Sequence, residues 1–399
     1  MPGNLRVVLL GGRSFPALLS ILRDSGELEK IIAFSTPQRP HILERFRDAL
    51  PPYLRDRFES DIAAYEKLFG AVSKWDGRVS IDITPSPKIP ALAAWEVARS
   101  FNAEIIYTSI ASMVRLRFVP SGYSHPQVRS ENLLDRSMDV KMYLSLYGRS
   151  MRRNWSIMEL EVIPDGTSDK GDLGFEIGRH IVENYAIYQH LLPLLRCLLN
   201  KAERIEGFAL VERRALYGCQ KHWRRDRNRW KKFEVELEYM ESVGLIRHLK
   251  KGLFSAEFMV PLSNEQFILG KWLDFYIYRL SRDTGIFQDC EYSVEIPSSE
   301  NTRNEIDFIG ISRRGRVYIA EAKTGEITRK ELDVLNTIAD LIGGRAVARY
   351  MVLFRSRKQV SESLVSQAGE RWINLLTVED ISSAEDLRSR FSSPEFGPI

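Results

Sequence analysis

The sequence contains few of the residues that build disulfide scaffolds and zinc sites. Among its 399 residues are three cysteines and six histidines. The cysteines (Cys197, Cys219 and Cys290) are odd in number and far apart, and the histidines are scattered without paired spacing. We therefore expect neither a disulfide framework nor a zinc site built on these residues. Such cysteine usage is typical of the reducing cytoplasm.

Long apolar runs are also missing. No hydrophobic stretch is long enough to cross a bilayer, and residues 1–6 lead directly into a strand-like run, so we expect neither a membrane span nor a signal peptide. Hydrophobic residues make up 44% and charged residues 28% of the chain, as in soluble globular proteins. The length predicts two or three domains. Because the net charge is only +4, binding to nucleic acid would depend on local basic clusters.

A β-hairpin predicted over residues 304–325 carries the most informative side chains of the chain. Its first strand alternates apolar and polar residues, residues 312–315 supply the turn, and the second strand is β-branched. Side chains alternate between the two faces of a strand, so Glu321 and Lys323 share one face. Pairing of the two strands would bring Asp307 close to Glu321.

Two carboxylates and one ammonium at a single point suit a hard divalent cation. Mg²⁺ and Mn²⁺ prefer oxygen ligands and keep positions open for water and phosphate oxygens. A neighbouring lysine can orient the attacking water or offset charge that develops on phosphorus. An acid-x-lysine tripeptide alone is more often a solvated strand edge. Here the preceding strand, the turn and an upstream helix with the run G-K-W-L-D, which carries Asp274, favour a site.

These residues resemble the motif of the PD-(D/E)xK nucleases. Asp307 and the E-A-K run at 321–323 look like its acidic and lysine positions, and the G-K-W-L-D run at 270–274 is similar to its G-x-W-L-E segment. The resemblance implies an α/β/α, restriction-endonuclease-like domain over residues 263–399. It implies Asp307, Glu321 and Lys323 as catalytic residues, and Asp307, Glu321 and Asp274 as ligands of Mg²⁺ or Mn²⁺.

The N-terminal part alternates strands and helices. Strands predicted at residues 5–10, 31–35, 79–83 and 104–109 are separated by helical segments, which indicates a doubly wound, mostly parallel sheet. Ligands of such sheets bind beyond the carboxyl ends of the strands. The loops at that edge offer glycines, hydroxyls, an amide and cations, a set that fits a phosphodiester ligand. The candidate residues are Gly11, Gly12, Arg13, Ser14, Ser35, Thr36, Gln38, Thr84, Ser86 and Lys88.

The same loops exclude the common nucleotide motifs. Gly11 and Gly12 lack the remaining glycine of G-x-G-x-x-G, and no Walker lysine loop is present. The D-I-T-P-S-P-K run at 82–88 instead stands where CARF sensors often carry T-G-G-T-K, and the run at 138–148 resembles the helix that follows them. This resemblance implies a Rossmann-like CARF domain over residues 1–150. It also implies a homodimer and cyclic tetra-adenylate as the activating ligand.

Residues 151–262 are predicted to form a helical linker and a winged-helix-like region. A basic run at 221–232 precedes a helix at 233–242 and a hairpin at 245–260. Its candidate nucleic-acid-binding residues are Arg224, Arg225, Arg227 and Trp230. The alternative is an amphipathic helix whose two tryptophans, seven residues apart, face the core.

Three further segments have a predicted structure. Residues 114–119 alternate like an exposed or edge strand, and residues 120–136 read as a polar loop. The tail from Ser382 onward is predicted to be surface helix and disorder.

Together the resemblances imply a cytoplasmic, metal-dependent nuclease of type III CRISPR defence. Cyclic tetra-adenylate would activate it to cut DNA, RNA or both, with no membrane partner. One alternative is a cyclic-oligoadenylate-responsive winged-helix DNA-binding regulator whose nuclease domain is inactive. Another is a metal-independent HEPN ribonuclease, which needs an R-x₄₋₆-H pair. The nearest candidate, Arg214 and His222, has the wrong spacing.

Overall fold

The structure is a computed structural model. It describes residues 3–11, 14–62, 65–84, 86, 88–109, 114–119, 127–132, 138–161, 169–212, 219, 227–252, 255–297 and 302–392. The strands in these ranges form sheets of seven, four and six strands, with helices packed against them. The mixed α/β architecture predicted from the sequence is confirmed.

The N-terminal sheet has the strand order β3-β2-β1-β4-β5-β6-β7. Its strands are β1 (Asn4–Leu10), β2 (Leu28–Ser35), β3 (Phe58–Ile62), β4 (Arg78–Asp82), β5 (Glu104–Ser109), β6 (Val114–Val119) and β7 (Gln127–Asn132). The first five in this order run parallel, and the last two are antiparallel. The surrounding helices are α1 (Phe15–Asp24), α2 (His41–Ala49), α3 (Pro52–Arg55), α4 (Tyr65–Ser73) and α5 (Lys88–Phe101).

Five of these strands match the prediction, and two were not predicted. Strand β3 was not predicted because its charged residues are exposed, without an apolar face. The loop predicted at 120–136 is wrong for Gln127–Asn132, which forms β7. Strand β6 is consequently flanked on both sides, and β7 is the edge instead.

The central region contains helices and a small antiparallel sheet of order β11-β12-β10-β9. Its strands are β9 (Glu203–Ile205), β10 (Phe208–Val211), β11 (Arg247–Gly252) and β12 (Ser255–Pro261). Its helices are α7 (Lys170–Glu183), α8 (Tyr185–Asn200) and α9 (Arg227–Ser242). The predicted order of helix and then hairpin is present in α9, β11 and β12. The winged-helix assignment itself stays a prediction.

The C-terminal sheet has the order β17-β16-β15-β14-β13-β8. Its strands are β8 (Arg152–Arg153), β13 (Phe287–Pro297), β14 (Arg303–Ser312), β15 (Val317–Lys323), β16 (Val347–Leu353) and β17 (Ile373–Leu376). The associated helices are α10 (Leu262–Gln266), α11 (Trp272–Asp283), α12 (Arg329–Leu341), α13 (Glu362–Glu370) and α14 (Ala384–Ser392). The predicted turn between β14 and β15 is closed by the Gly315 N–H, which donates to Ser312 O at 2.7 Å.

Alternate residues of the C-terminal strands face two different cores. On β15, Ile319 packs into the core that also holds residues of the N-terminal sheet, whereas Tyr318 packs into the core of the central helices. Helix α6 (Val140–Leu146) lies between the two sheets, where Tyr143 is buried and its hydroxyl donates to the backbone carbonyl of Ile342. The N-terminal and C-terminal sheets therefore share one continuous core.

The spacing of the cysteines argued against a disulfide framework, but one disulfide is present. Cys197 on α8 and Cys219 form a disulfide with a Cα–Cα distance of 5.8 Å, while Cys290 is free and buried. Spacing along the chain did not predict the pair because the two residues meet only through tertiary packing.

The helix predicted in the tail is present, but it is packed into the core and is not a surface element. Helix α14 buries Leu387 and Phe391 in the core of the central helices, so it is an integral part of the fold up to Ser392. Among the described helices, none combines the length and the hydropathy that a membrane crossing requires.

Two buried arginines hold the N-terminal sheet to α1. Arg6 and Arg115 are each 1% exposed. Both make ion pairs with Asp24, and Arg115 also pairs with Glu131 on β7. Arg6 Nε donates to Ser80 Oγ at 2.7 Å. Burial raises the pKa of Asp24, but the two guanidinium groups outweigh it and lower that pKa overall.

We predict that Arg115→Met destabilises the protein by about 3–5 kcal/mol, because it removes a buried guanidinium that pairs with both Asp24 and Glu131. Urea unfolding of the full chain, followed by circular dichroism, measures the loss. The control is Lys30→Met, which removes an ion pair with Glu59 whose side chains are 31% and 62% exposed. It should change the free energy of unfolding by less than about 1 kcal/mol. Equal losses in both variants would contradict the role given to burial.

Candidate metal centre

The β14–β15 hairpin brings Asp307, Glu321 and Lys323 together. Phe308 pairs with Ala320, and this antiparallel register sets Asp307 opposite Glu321. The backbone N–H of Ala322 donates to Asp307 Oδ2 at 2.8 Å and fixes that carboxylate. The Lys323 ammonium makes an ion pair with Glu321. The convergence predicted for these side chains is present.

The helix before the hairpin contributes a further acid and a further cation. Asp274 lies in the first turn of α11 and is buried, as is the neighbouring Trp272, which anchors the helix in the core. A π-helical turn, Phe267–Lys271, precedes α11. Such turns are frequent at functional sites. This one ends at Lys271, whose ammonium lies 2.8 Å from Asp274 Oδ2.

Three carboxylates surround the Lys271 ammonium. Carboxylate oxygens of Asp274, Glu305 and Asp307 all lie within 4.8 Å of one another. Lys271 Nζ makes an ion pair with Glu305 and lies 3.7 Å from Asp307 Oδ1. Sequence reasoning included Asp274 and Asp307 but missed Glu305. The available signal was its place two residues before Asp307 on the same strand, since such residues ordinarily share a face.

A strained residue on β13 supports this cluster. Ser293 is fully buried and has φ +50°, a conformation that is uncommon for residues other than glycine and costs roughly 1–3 kcal/mol. Its hydroxyl donates to Glu305 Oε1 at 2.8 Å. The regular alternation of faces breaks here, because Ile306 and Phe308 pack into different cores. The hydrogen bond from Ser293 and the ion pair with Lys271 thus hold Glu305 beside Asp307.

Burial controls the protonation of the acids. It raises the pKa of Asp274, which nearby Asp307 raises further, and it raises the pKa of Asp307 against the opposing effect of Lys271. Burial and then Asp307 raise the pKa of Glu321 to about 7. In Glu305 the hydrogen bond from Lys271 outweighs burial and lowers the pKa. The cluster is therefore a set of carboxylates that a cation would stabilise.

The donor set fits Mg²⁺ or Mn²⁺. All candidate ligand atoms in the cluster are carboxylate oxygens, as hard divalent ions prefer, and no cysteine or histidine belongs to it. The chemistry of the described residues therefore agrees with the metal predicted from the sequence. Lys271 occupies the place between the acids that a divalent cation would compete for.

The hydroxyls predicted at the N-terminal ligand edge mostly serve the loops themselves. Ser14 Oγ donates to the carbonyl of Gly11 at 3.3 Å, and Ser35 is buried with its hydroxyl donating to Arg39 O at 2.8 Å. Thr36 is partly exposed and Gln38 is exposed, so both are accessible to a ligand.

The third loop of that edge is tied to β5. Thr84 Oγ1 accepts a hydrogen bond from the Thr108 N–H at 2.7 Å, and the Ser86 N–H donates to Ile83 O at 3.0 Å. The predicted ligand residues Gly12 and Arg13, and the side chain of Lys88, lie outside the described part of the structure.

The basic run contributes little to the described structure. Arg224 and Arg225 lie outside the described residues, as does the side chain of Arg227. Trp230 is wrong as a base-stacking residue because it is 6% exposed and stacks on Phe233 in the core. Its indole N–H donates to Glu234 Oε1 at 2.6 Å. The alternative of a core-facing tryptophan holds at this position.

A family match coincides with this site. Residues 263–390 match the model of the Card1-like endonuclease domain family. The C-terminal part of the chain is therefore similar to the endonuclease domains of that family, which supports the nuclease class predicted from the sequence. No curated protein matches the chain significantly.

Solved structures share the fold over nearly the whole chain. Protein VC1899 from Vibrio cholerae is 16% identical with a TM-score of 0.73, and the match covers 97% of each chain. Can2 from Sulfobacillus thermosulfidooxidans, solved with cyclic tetra-adenylate, is 17% identical with a TM-score of 0.66, covering 97% of this chain and 98% of that one.

A third match is a type III CRISPR defence DNA nuclease activated by cyclic oligoadenylate. It is 13% identical with a TM-score of 0.53, and all of this chain covers 53% of that one. This chain thus spans about half the length of that nuclease. The resemblance to CARF-linked nucleases of type III CRISPR systems, predicted from the sequence motifs, is confirmed.

We predict that Lys271→Met increases the affinity for Mn²⁺ by about tenfold, because it removes the ammonium that competes for the same carboxylates. Isothermal titration calorimetry measures the affinity. In EDTA the same variant should be less stable than the parent protein, since the buried acids lose their cation. Lys271→Arg, which keeps a positive charge, is the control. Unchanged or weaker Mn²⁺ binding by Lys271→Met would contradict the competition.

The raised pKa of Glu321 predicts a pH-dependent stability in EDTA. Its native pKa of about 7 exceeds its ordinary value of 4.5, so the native state binds more protons. This contribution is complete below about pH 4.5 and is lost as the pH rises through 7. Relative to Glu321→Gln, the parent protein should lose on the order of 2 kcal/mol between pH 5 and pH 8. Urea unfolding of both proteins across this range measures the difference. If the free energies of unfolding of the two proteins changed equally with pH, the raised pKa of Glu321 would be refuted.

Proposed function

We propose that this chain is a metal-dependent nuclease of type III CRISPR defence that cyclic tetra-adenylate activates. It would act as a cytoplasmic homodimer and hydrolyse phosphodiester bonds of DNA, RNA or both. The observation that carries the proposal is the cluster of Asp274, Glu305 and Asp307 beside Glu321 and Lys323. This cluster lies inside the segment that matches the endonuclease family.

Each residue of the centre has a role in this proposal. Asp274, Glu305 and Asp307 would hold Mg²⁺ or Mn²⁺, with Glu321 available as a further ligand. When bound, the ion would polarise the phosphate and lower the pKa of water. Burial lowers the pKa of Lys323, but the carboxylates of Glu321 and Asp307 outweigh this and raise it. Lys323 therefore stays protonated and offsets the charge that develops on phosphorus.

The ligand side of the proposal is supported by the N-terminal sheet. Can2, which has the same fold, was solved with cyclic tetra-adenylate. In this chain Thr36 and Gln38 are accessible beyond the carboxyl end of β2, where ligands of parallel sheets bind. A homodimer is proposed because a ligand with internal symmetry suits a two-fold interface.

The two ends of the chain are linked by α6 and its flanks. The Val140 N–H donates to Asp289 Oδ2 at 2.7 Å, and Tyr143 bonds the Ile342 carbonyl. Strand β8, directly after α6, pairs with β13 at the edge of the C-terminal sheet. A rearrangement of the N-terminal domain would thus move elements that touch the nuclease sheet. Activation would be a shift between two populations, with the ligand favouring the active one.

The two alternatives receive less support. A regulator with an inactive nuclease would be expected to lack a member of the site, whereas Asp307, Glu321 and Lys323 are all present and close together. For the HEPN ribonuclease, Arg214 and His222 lie outside the described residues, and their spacing still disagrees with the motif.

We predict that Glu321→Ala and Lys323→Ala each lower cutting by at least about a hundredfold while ligand binding stays unchanged. The reason is that both side chains belong to the centre and neither lies at the N-terminal ligand edge. Cleavage of supercoiled plasmid and of single-stranded DNA and RNA is measured with Mn²⁺, with and without cyclic tetra-adenylate. Calorimetry measures binding of the ligand.

The control is Glu370→Ala, which removes a side chain that is 69% exposed at the end of α13. It should cut like the parent protein. Undiminished cutting by the two site variants would reject the site, and cutting without cyclic tetra-adenylate would reject the activator. A protein that binds the ligand but never cuts would favour the regulator.

A further inference from the structure

A cavity of about 580 Å³ lies between α8 and the carboxyl ends of β15 and β16. Its volume is within the range of small-molecule and nucleotide sites. Its wall combines apolar side chains such as Leu192 and Phe354 with the polar and charged side chains of Gln189, Arg196, Glu326 and Arg355.

The cavity lies directly beside the candidate metal centre. Thr324 and Gly325 directly follow Lys323, and the Lys323 carbonyl accepts a hydrogen bond from the Phe354 N–H at 2.9 Å. Arg196 reaches across from α8, where its Nη2 donates to Thr324 Oγ1 at 3.0 Å and to the carbonyl of Leu269 at 2.7 Å. Leu269 belongs to the π-helical turn that carries Lys271. The carboxyl end of β15 and the π-helical turn therefore support both the cavity and the acidic cluster.

The charge of the cavity suits an anion. Arg196 is exposed and Arg355 is partly exposed, and within the described residues the Arg355 guanidinium has no hydrogen-bond or ion-pair partner. Glu326 is the one carboxylate among the described lining residues. Burial, and then Arg229, lower the pKa of His190, so its imidazole is neutral at pH 7. Two guanidinium groups facing one carboxylate leave a net positive wall.

The outer wall is already assembled. The Tyr185 hydroxyl donates to Gln359 Oε1 and accepts from the Ser356 N–H at 3.1 Å. The Gln359 amide in turn donates to Gln189 Oε1 at 3.0 Å. These bonds tie α8 to the turn after β16 and hold the cavity open. A preformed site loses less entropy when its ligand binds.

We infer that this cavity binds the phosphodiester backbone of the substrate strand next to the bond that is cut, with Arg196 and Arg355 contacting its phosphates. Guanidinium groups bind phosphate through paired N–H donors, which a lysine does not reproduce. The inference rests on the proposed nuclease function and adds a substrate-positioning site to it. It also gives the central helix α8 a part in the nuclease site.

The test measures substrate binding without cutting. The variants are made in the Glu321→Ala background, and Mn²⁺ is present. Each protein is titrated into a fluorescein-labelled single-stranded DNA of about twelve nucleotides, which is long enough for several phosphate contacts. The dissociation constant is measured at several salt concentrations. We expect Arg355→Ala and Arg196→Ala each to weaken binding about tenfold. Each should also lower the slope of log Kd against log salt by about 0.7, the value for one lost contact to a single strand. Glu326→Gln should tighten binding.

The matched control is Arg388→Ala on α14, which removes the same charge from an exposed position outside the cavity. It should leave both the affinity and the salt slope unchanged. Arg355→Lys should restore part of the salt slope but not the full affinity. If Arg196 had only a structural role, Arg196→Ala would weaken DNA binding without changing the salt slope. That result would overturn the inference for Arg196.

The outcomes separate this inference from the proposed function. If the cavity variants bind the DNA with the affinity and salt slope of Arg388→Ala, the inference is wrong while the nuclease stands. If the parent protein neither binds nor cuts nucleic acid, the proposed function fails as well. Binding of cyclic tetra-adenylate should be the same in all variants, and a loss confined to the cavity variants would assign the cavity to the activator instead.

Discussion

The repulsion among three carboxylates at one point is the constraint on which the C-terminal domain depends. Asp274, Glu305 and Asp307 come within 4.8 Å of one another in a largely buried place. Like charges in such a site either take up protons or need a cation. Lys271 supplies one, and the strained Ser293 holds Glu305 toward it. Stability is thus given up locally for a site that a divalent cation would complete.

The C-terminal sheet is packed on both faces, and this packing connects the acidic cluster to the rest of the chain. Successive residues of β15 and β16 pack into separate cores, one shared with the central helices and one with the N-terminal sheet. A parallel or mixed sheet that is covered on both faces transmits a displacement on one face to the other, because packed cores have little free volume. Helix α6 lies in the shared core, and this placement would give the proposed activating ligand a physical route to the acidic cluster.

Buried ion pairs play different parts in the two domains. Beside the N-terminal sheet, Arg6 and Arg115 pair with Asp24 and Glu131 and so fix β1, β6 and β7 to α1. In the C-terminal domain the acids outnumber the cations around them. Matched charges are typical of a structural network, and an excess of buried acids is typical of a site that binds a cation. The same chemistry therefore separates scaffold from function within one chain.

The sequence by itself determined most of the alternating strands and helices of the N-terminal part and the residues of the hairpin motif. These follow from local periodicity and turn chemistry, as Gly315 and the alternation on β15 show. Strand β7, the buried state of Trp230 and the Cys197–Cys219 disulfide were decided only in three dimensions. So were the convergence of Lys271 with Glu305 and the reach of Arg196 to Thr324. Such contacts join residues far apart in the chain, and packing, rather than any local pattern, selects which of them meet.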